Sequence, residues 1–73
     1  MMTKLQVDTY VQDWIKENWD SQKSDYQNTE NLLVMLNDRE YRTRGNRDME
    51  EATLLDALYK QVQTMREIAL GKA

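Results

Sequence analysis

The feature that most constrains this fold is a run of apolar residues at helical spacing in the last third of the chain. Apolar side chains recur there at intervals of one, three, four, three and four residues, at Leu54, Leu55, Leu58, Val62, Met65 and Ala69. Residues three and four apart share one face of an α-helix, so the run predicts a helix over about residues 47–70 with one buried face. Glu50 and Glu51 follow a potential cap at Asp48, where the helix dipole stabilises acids.

A first helix is indicated near the amino terminus. Thr3 and Gln6 have the spacing of a capping box, in which each side chain hydrogen-bonds the other residue's backbone N–H. Val7, Val11, Trp14 and Ile15 then fall on one helical face, with Tyr10 at its edge. These patterns predict a helix over about residues 4–20, with Trp14 in the core.

The segment over about residues 21–28 is polar and predicts a loop, because such side chains hydrogen-bond their own backbone. A second cap at Ser24 would let the next helix begin as early as Asp25, and the latest start is Glu30. We predict this helix over about residues 29–44. Its inward side chains are expected to be Leu32, Leu33, Met35 and Leu36.

Proline is absent and glycine occurs only twice, which is typical of a helical chain. Gly45 suits the left-handed position just after a helix, and Gly71 suits the end of the last helix. The prediction is therefore an all-α protein, a small three-helix bundle forming a single domain over residues 1–73. Its second and third helices should form a hairpin about Gly45.

The composition argues against most kinds of chemistry. The 73 residues include no histidine and no cysteine, so the usual nucleophile–base pairs and thiolate metal sites are missing. We expect no enzyme activity, no metal and no cofactor. A net charge of -3 argues against general nucleic-acid binding. No apolar run is long enough to span a membrane or to form a signal peptide, so we expect a cytoplasmic protein without membrane contact.

Four arginines are concentrated in the segment from Asp38 to Asp48. They are Arg39, Arg42, Arg44 and Arg47. Cations near a helix C-terminus are favourable, and the acids of the same segment reduce its net charge to +1, so a solvated joint between two helices explains most of the cluster. Arginine and tyrosine are also frequent at protein interfaces, which leaves a protein-binding edge open. A phosphate or nucleic-acid site between Tyr41 and Arg47 is the third interpretation.

Trp19 lies off the apolar face of the first helix. It is either an anchor for a protein partner or a cover over the open end of the bundle. The candidates for protein interaction are therefore Trp19, Tyr41, Arg42, Arg44 and Arg47.

In its small size, acidity and lack of proline, the chain resembles regulators encoded by phages and other mobile elements. That resemblance implies a protein that binds and modulates another protein. The first functional hypothesis is thus an adaptor, regulator or inhibitor that docks on a larger protein machine. The alternatives are a nucleic-acid-linked regulator using the edge from Tyr41 to Arg47, or a structural homo-oligomer that acts in assembly.

Overall fold

The computed structural model describes residues 1–46 and 48–71. They form three α-helices: α1 at Lys4–Asn18, α2 at Asp25–Thr43 and α3 at Met49–Ala69. No strand occurs within these described ranges. The predicted all-α bundle of three helices, with α2 and α3 as a hairpin about Gly45, is confirmed.

The start of α1 follows from the capping box that its sequence predicts. The Gln6 backbone N–H donates to Thr3 Oγ1 at 3.1 Å, and the Thr3 backbone N–H donates to Gln6 Oε1 at 2.8 Å. Together they satisfy two donors that a helix start would otherwise leave unpaired. The helix ends at Asn18, two residues short of the predicted Asp20, because Trp19 already has extended backbone angles.

The start of α2 lies at Asp25, the earlier of the two predicted positions. The Ser24 hydroxyl caps it by accepting a 3.1 Å hydrogen bond from the Gln27 backbone N–H. Asn28, which was predicted to lie in the loop, is instead a buried residue of the first turns. Its amide accepts from the Asp20 N–H and donates to the Asp20 carbonyl, both at 2.8 Å, so it fixes the preceding loop against the helix.

The turn between α2 and α3 is built differently from the prediction. Gly45 does not have a positive φ, and Gly71, with a φ of 75°, is the only glycine in the described residues that does. Arg44 keeps right-handed angles, and the N–H groups of Arg44 and Asn46 donate to the carbonyls of Tyr41 and Thr43. These bonds span three residues and tighten the helix end, so no left-handed glycine is needed there.

The third helix holds the bundle together, since both other helices pack against it. Contacts between helices show their relative directions. Arg39 of α2 lies over Tyr10 of α1, and Arg66 near the end of α3 donates a hydrogen bond to Tyr26 near the start of α2. Consecutive helices are therefore antiparallel. The buried core consists of Val7, Val11, Ile15, Leu32, Leu36, Leu54, Leu55, Leu58 and Val62.

Two residues that were predicted to point into the core, Met35 and Trp14, are less buried than predicted. Met35 is 40% exposed and lines a groove of about 220 Å³ between α1 and α2, beside Trp14. Trp14 is half-buried and packs against the core from the edge of α1. Because α1 and α2 pack chiefly on α3 and only weakly on each other, the groove between them leaves both side chains partly uncovered.

Candidate interaction surface

One end of the bundle gathers the start of α1, the end of α2 and the start of α3. We call this region, residues 1–5, 41–46 and 48–53, the hairpin end. Its three parts meet because consecutive helices are antiparallel, and one groove is lined by both Met1 and Met49. The hairpin end therefore combines segments that are far apart in sequence.

Apolar side chains are unusually exposed at the hairpin end. The four most exposed large hydrophobic side chains of the described residues all lie there, each at least 73% exposed: Met1, Leu5, Tyr41 and Met49. Single exposed apolar residues are normal on a protein surface, whereas several at one location indicate a binding site. The remaining exposed large apolar residues lie on α2, in the last turn of α3 and at the residue that follows it.

Tyr41 and Arg44 form an exposed pair in this region. The guanidinium of Arg44 lies 5.8 Å from the centre of the Tyr41 ring, which is a cation–π contact. Neither side chain makes a hydrogen bond or ion pair with another described residue. The helix dipole explains a cation at the end of α2, but no contact with the core explains an exposed tyrosine one turn earlier.

Two other arginines of the segment, Arg39 and Arg42, form ion pairs. Arg42 forms an ion pair of 2.9 Å with Asp38 one turn earlier on the exposed surface of α2. Arg39 is turned inward and bound to Glu51 of α3. Arg47 lies outside the described residues. Thus the predicted edge from Tyr41 to Arg47 does not present a row of unpaired cations in its described part, and Arg44 alone among its described arginines lacks an ion pair.

The contact between Arg39 and Glu51 fastens α2 to α3 near the hairpin end. Arg39 donates through Nε and one terminal nitrogen to the two carboxylate oxygens, at 2.7 and 2.8 Å. The hydrogen bond with the Glu51 carboxylate raises the pKa of Arg39 further above its ordinary value, although burial opposes the shift. The pair was not predicted from the sequence, because a separation of twelve residues gives no signal of a contact across two helices.

Trp19 shows features of both roles that were predicted for it, a cover over the bundle end and a partly exposed anchor. It is half-buried and packs against the core just after α1 ends. It also lines an open groove of about 390 Å³ together with Ile15 and Met65. Trp19 therefore packs against the core at the end of the bundle opposite the hairpin end, and the residue stays partly exposed there.

Two kinds of feature do not occur in the described part of the chain. Among residues 1–46 and 48–71 there is no group of acidic side chains arranged to hold a metal ion. None of the helices in these ranges combines the length and the apolar character needed to cross a membrane.

Comparison with known proteins finds no match: no family model, no curated protein and no solved structure resembles the chain closely enough to be counted.

Proposed function

We propose that this chain is a non-enzymatic protein-interaction module, an adaptor or regulator that docks on a larger protein through the hairpin end. The observation that carries the proposal is the concentration of the four most exposed large apolar side chains at that end. Exposed apolar side chains grouped at one end of a protein are typical of a surface that binds another protein. A partner inside the cell is consistent with the predicted cytoplasmic location.

Tyr41 and Arg44 are the residues we expect to contribute most to binding. Both residue types are common among the few side chains that dominate binding energy at interfaces. Their mutual contact restrains both on the end of a helix, so less side-chain entropy is lost when a partner binds. Neither makes a polar bond with another described residue that would have to be broken first.

The test is affinity capture from cells that naturally make the chain, comparing the parent with Tyr41→Ala/Arg44→Ala. A matched control is Asp56→Ala/Lys60→Ala, which removes an exposed ion pair from α3. We expect the first variant to remain folded and to lose no more than about 1 kcal/mol of stability, because an exposed cation–π contact is worth roughly 0.5–1 kcal/mol. It should nevertheless lose the captured protein, whereas the control should retain it. Equal capture by both variants would reject the hairpin end as the docking surface.

Nucleic acid is the competing partner, and the same variants address it. Phosphate binding requires several unpaired cations, whereas the acids Asp38 and Glu51 already engage two of the arginines. We therefore expect the parent to show no general binding to DNA or RNA in a gel-shift assay at physiological salt. Binding at micromolar concentration that is lost in Tyr41→Ala/Arg44→Ala would favour the nucleic-acid function instead.

A further inference from the structure

The first helix is held less firmly than the other two. The side chains that α1 contributes to the core, Val7, Val11 and Ile15, keep an exposed fraction between 4% and 9%. None of them is fully buried, whereas four of the six apolar core residues of α2 and α3 are. These four are Leu32, Leu36, Leu58 and Val62. The centre of the core therefore lies between α2 and α3, and α1 covers one side of it.

Polar contacts between the helices show the same difference. Side-chain hydrogen bonds join α2 to α3 at three levels. They are Arg39–Glu51, Asn37–Tyr59 and Glu30–Arg66. Among the described residues, α1 has no ion pair with either helix, and the charged group that contacts it is the Arg39 guanidinium, 5.5 Å from the centre of the Tyr10 ring. Because Arg39 is already bound to Glu51, α1 can move away without leaving a buried charge unpaired.

The loop that follows α1 is fixed to α2. The Asn28 side chain accepts from the Asp20 N–H and donates to the Asp20 carbonyl, both at 2.8 Å, and it also donates to the carbonyls of Lys23 and Ser24. Trp19 lies between this anchored loop and the last turn of α1, and its backbone is extended, with φ -82° and ψ 134°. A change of backbone angles at Trp19 alone can therefore swing α1 outward while the loop stays in place.

We propose that α1 is a hinged cover, which opens as one unit at Trp19 while α2, α3 and the loop that Asn28 holds remain folded. Proteins open in contiguous units, and the unit with the fewest fully buried contacts opens at the lowest free energy. The burial, the polar contacts and the anchored loop all place the boundary of that unit at the end of α1.

Opening changes which surfaces the protein presents. It uncovers the side of α3 that carries Met65, because Met65 and Ile15 line the same groove beside Trp19. It also separates Met1 from Met49, which line one groove of the hairpin end while α1 is closed. The hairpin end is therefore complete in the closed form and dismantled in the open form. That α1 thereby controls docking rests on the proposed function.

Native-state hydrogen exchange of the whole chain tests the proposal, because it measures how often each backbone amide opens. We expect the mid-helix amides of α1, at Val11 and Ile15, to share one protection factor. That factor should be at least about tenfold lower than the protection at Leu36 of α2. The Asp20 amide, which is bonded to Asn28, should follow Leu36 although α1 ends only two residues earlier.

Two mild variants show which helices open together. Tyr59→Phe removes a hydrogen bond between α2 and α3 that is present whether α1 is closed or open. It should lower protection in α2 and α3 roughly 2- to 10-fold and leave α1 unchanged. Ile15→Val removes one methyl group from the buried face of α1. It should lower protection in all three helices by the same factor, because only the closed form contains that contact.

Three results would overturn the proposal. Protection at Val11 equal to or above that at Leu36 would show that α1 does not open first. A loss of protection in α1 caused by Tyr59→Phe would show that α2 and α3 open with it. An Asp20 amide that exchanges together with α1 would contradict a hinge at Trp19. The proposed function fails separately, since these exchange measurements need no partner.

Discussion

Arg39 and Glu51 are joined by two parallel hydrogen bonds of 2.7 and 2.8 Å across the α2–α3 hairpin. Both side chains are about one-fifth exposed, at 20% and 19%. The Arg39 guanidinium also lies 5.5 Å from the centre of the Tyr10 ring, so one arginine connects all three helices. A two-bond contact with this little exposure fixes the relative position of the helices more strongly than a surface ion pair does.

Glu51→Gln should therefore destabilise the fold by roughly 1–3 kcal/mol, because it leaves the partly buried guanidinium without its charged partner. Urea unfolding followed by circular dichroism measures this loss. Asp38→Asn, which breaks the exposed pair with Arg42, is the matched control and should cost less than about 1 kcal/mol. Similar losses for the two variants would show that the pair with Arg39 has no special structural role.

Asn28 should be intolerant of substitution, although it is a polar residue beside a loop. Asn28→Ala removes the hydrogen bonds to Asp20, Lys23 and Ser24 and should cost roughly 2–3 kcal/mol. Asn28→Asp should cost at least as much, because a carboxylate cannot donate to the carbonyls that the amide now serves. Thermal unfolding of both variants tests this. An unchanged melting temperature for Asn28→Asp would contradict the hydrogen-bonded arrangement of the loop.

The two glycines should respond oppositely to alanine. At Gly45 no atom lies within 4 Å of an added Cβ, and the backbone does not have a positive φ, so Gly45→Ala should be neutral or stabilising by up to about 1 kcal/mol. At Gly71 the φ of 75° disfavours a side chain, so Gly71→Ala should cost roughly 1 kcal/mol. Chemical unfolding distinguishes the two. A clear loss of stability in Gly45→Ala would restore the left-handed turn predicted from the sequence.

Tyr59 should make stability fall at alkaline pH. Its hydroxyl donates a 2.5 Å hydrogen bond to Asn37 Oδ1, and the Glu40 carboxylate lies 3.4 Å away. Burial raises the pKa of Tyr59 above its ordinary value of 10, and the negative charge of Glu40 adds to the shift. The folded state therefore holds this proton more tightly than the unfolded state, and the resulting stability, complete below about pH 10, is lost as the pH rises through the folded pKa.

Tyr59→Phe removes this titrating group, so the comparison of parent and variant over a range of pH isolates its effect on stability. The difference in unfolding free energy between parent and variant should be constant near neutral pH and should shrink as the pH rises above about 10, through the raised pKa of Tyr59 in the folded state. Unfolding in urea at a series of pH values provides the measurement. A difference that stays constant over the alkaline range would show that Tyr59 titrates alike in the folded and unfolded states.

The parts of the fold that could be predicted are those set by local sequence. Thr3 and Asp48 cap their helices through residues only three positions away, and the periodicity around Leu58 defines a buried face without knowledge of any other helix. The conformation of Gly45 was predicted wrongly, because the bonds from Arg44 and Asn46 offer another way to close a helix end that the residue type does not reveal.

The candidate site was only partly predictable for a related reason. Tyr41 and Arg44 were identified by residue type. The sequence did not show which arginines form ion pairs, because Arg39 is paired with an acid of α3 that is distant along the chain. The groove joins Met1 with Met49, residues of two segments that meet only after folding. No local sequence pattern predicts that these two segments lie together, since this depends on the relative rotation and direction of the packed helices.

Docking of the hairpin end on another protein is tested most directly by photo-crosslinking. A photoreactive phenylalanine analogue would replace Tyr41 in cells that naturally make the chain, with the same analogue at Lys60 as the control. Tyr41 is 73% exposed, and Lys60 is also exposed on the outer face of α3, so the two positions are equally able to react with what they touch. We predict one discrete adduct with a different protein from position 41 and none from position 60. No adduct from position 41, or the same adducts from both positions, would contradict docking through the hairpin end.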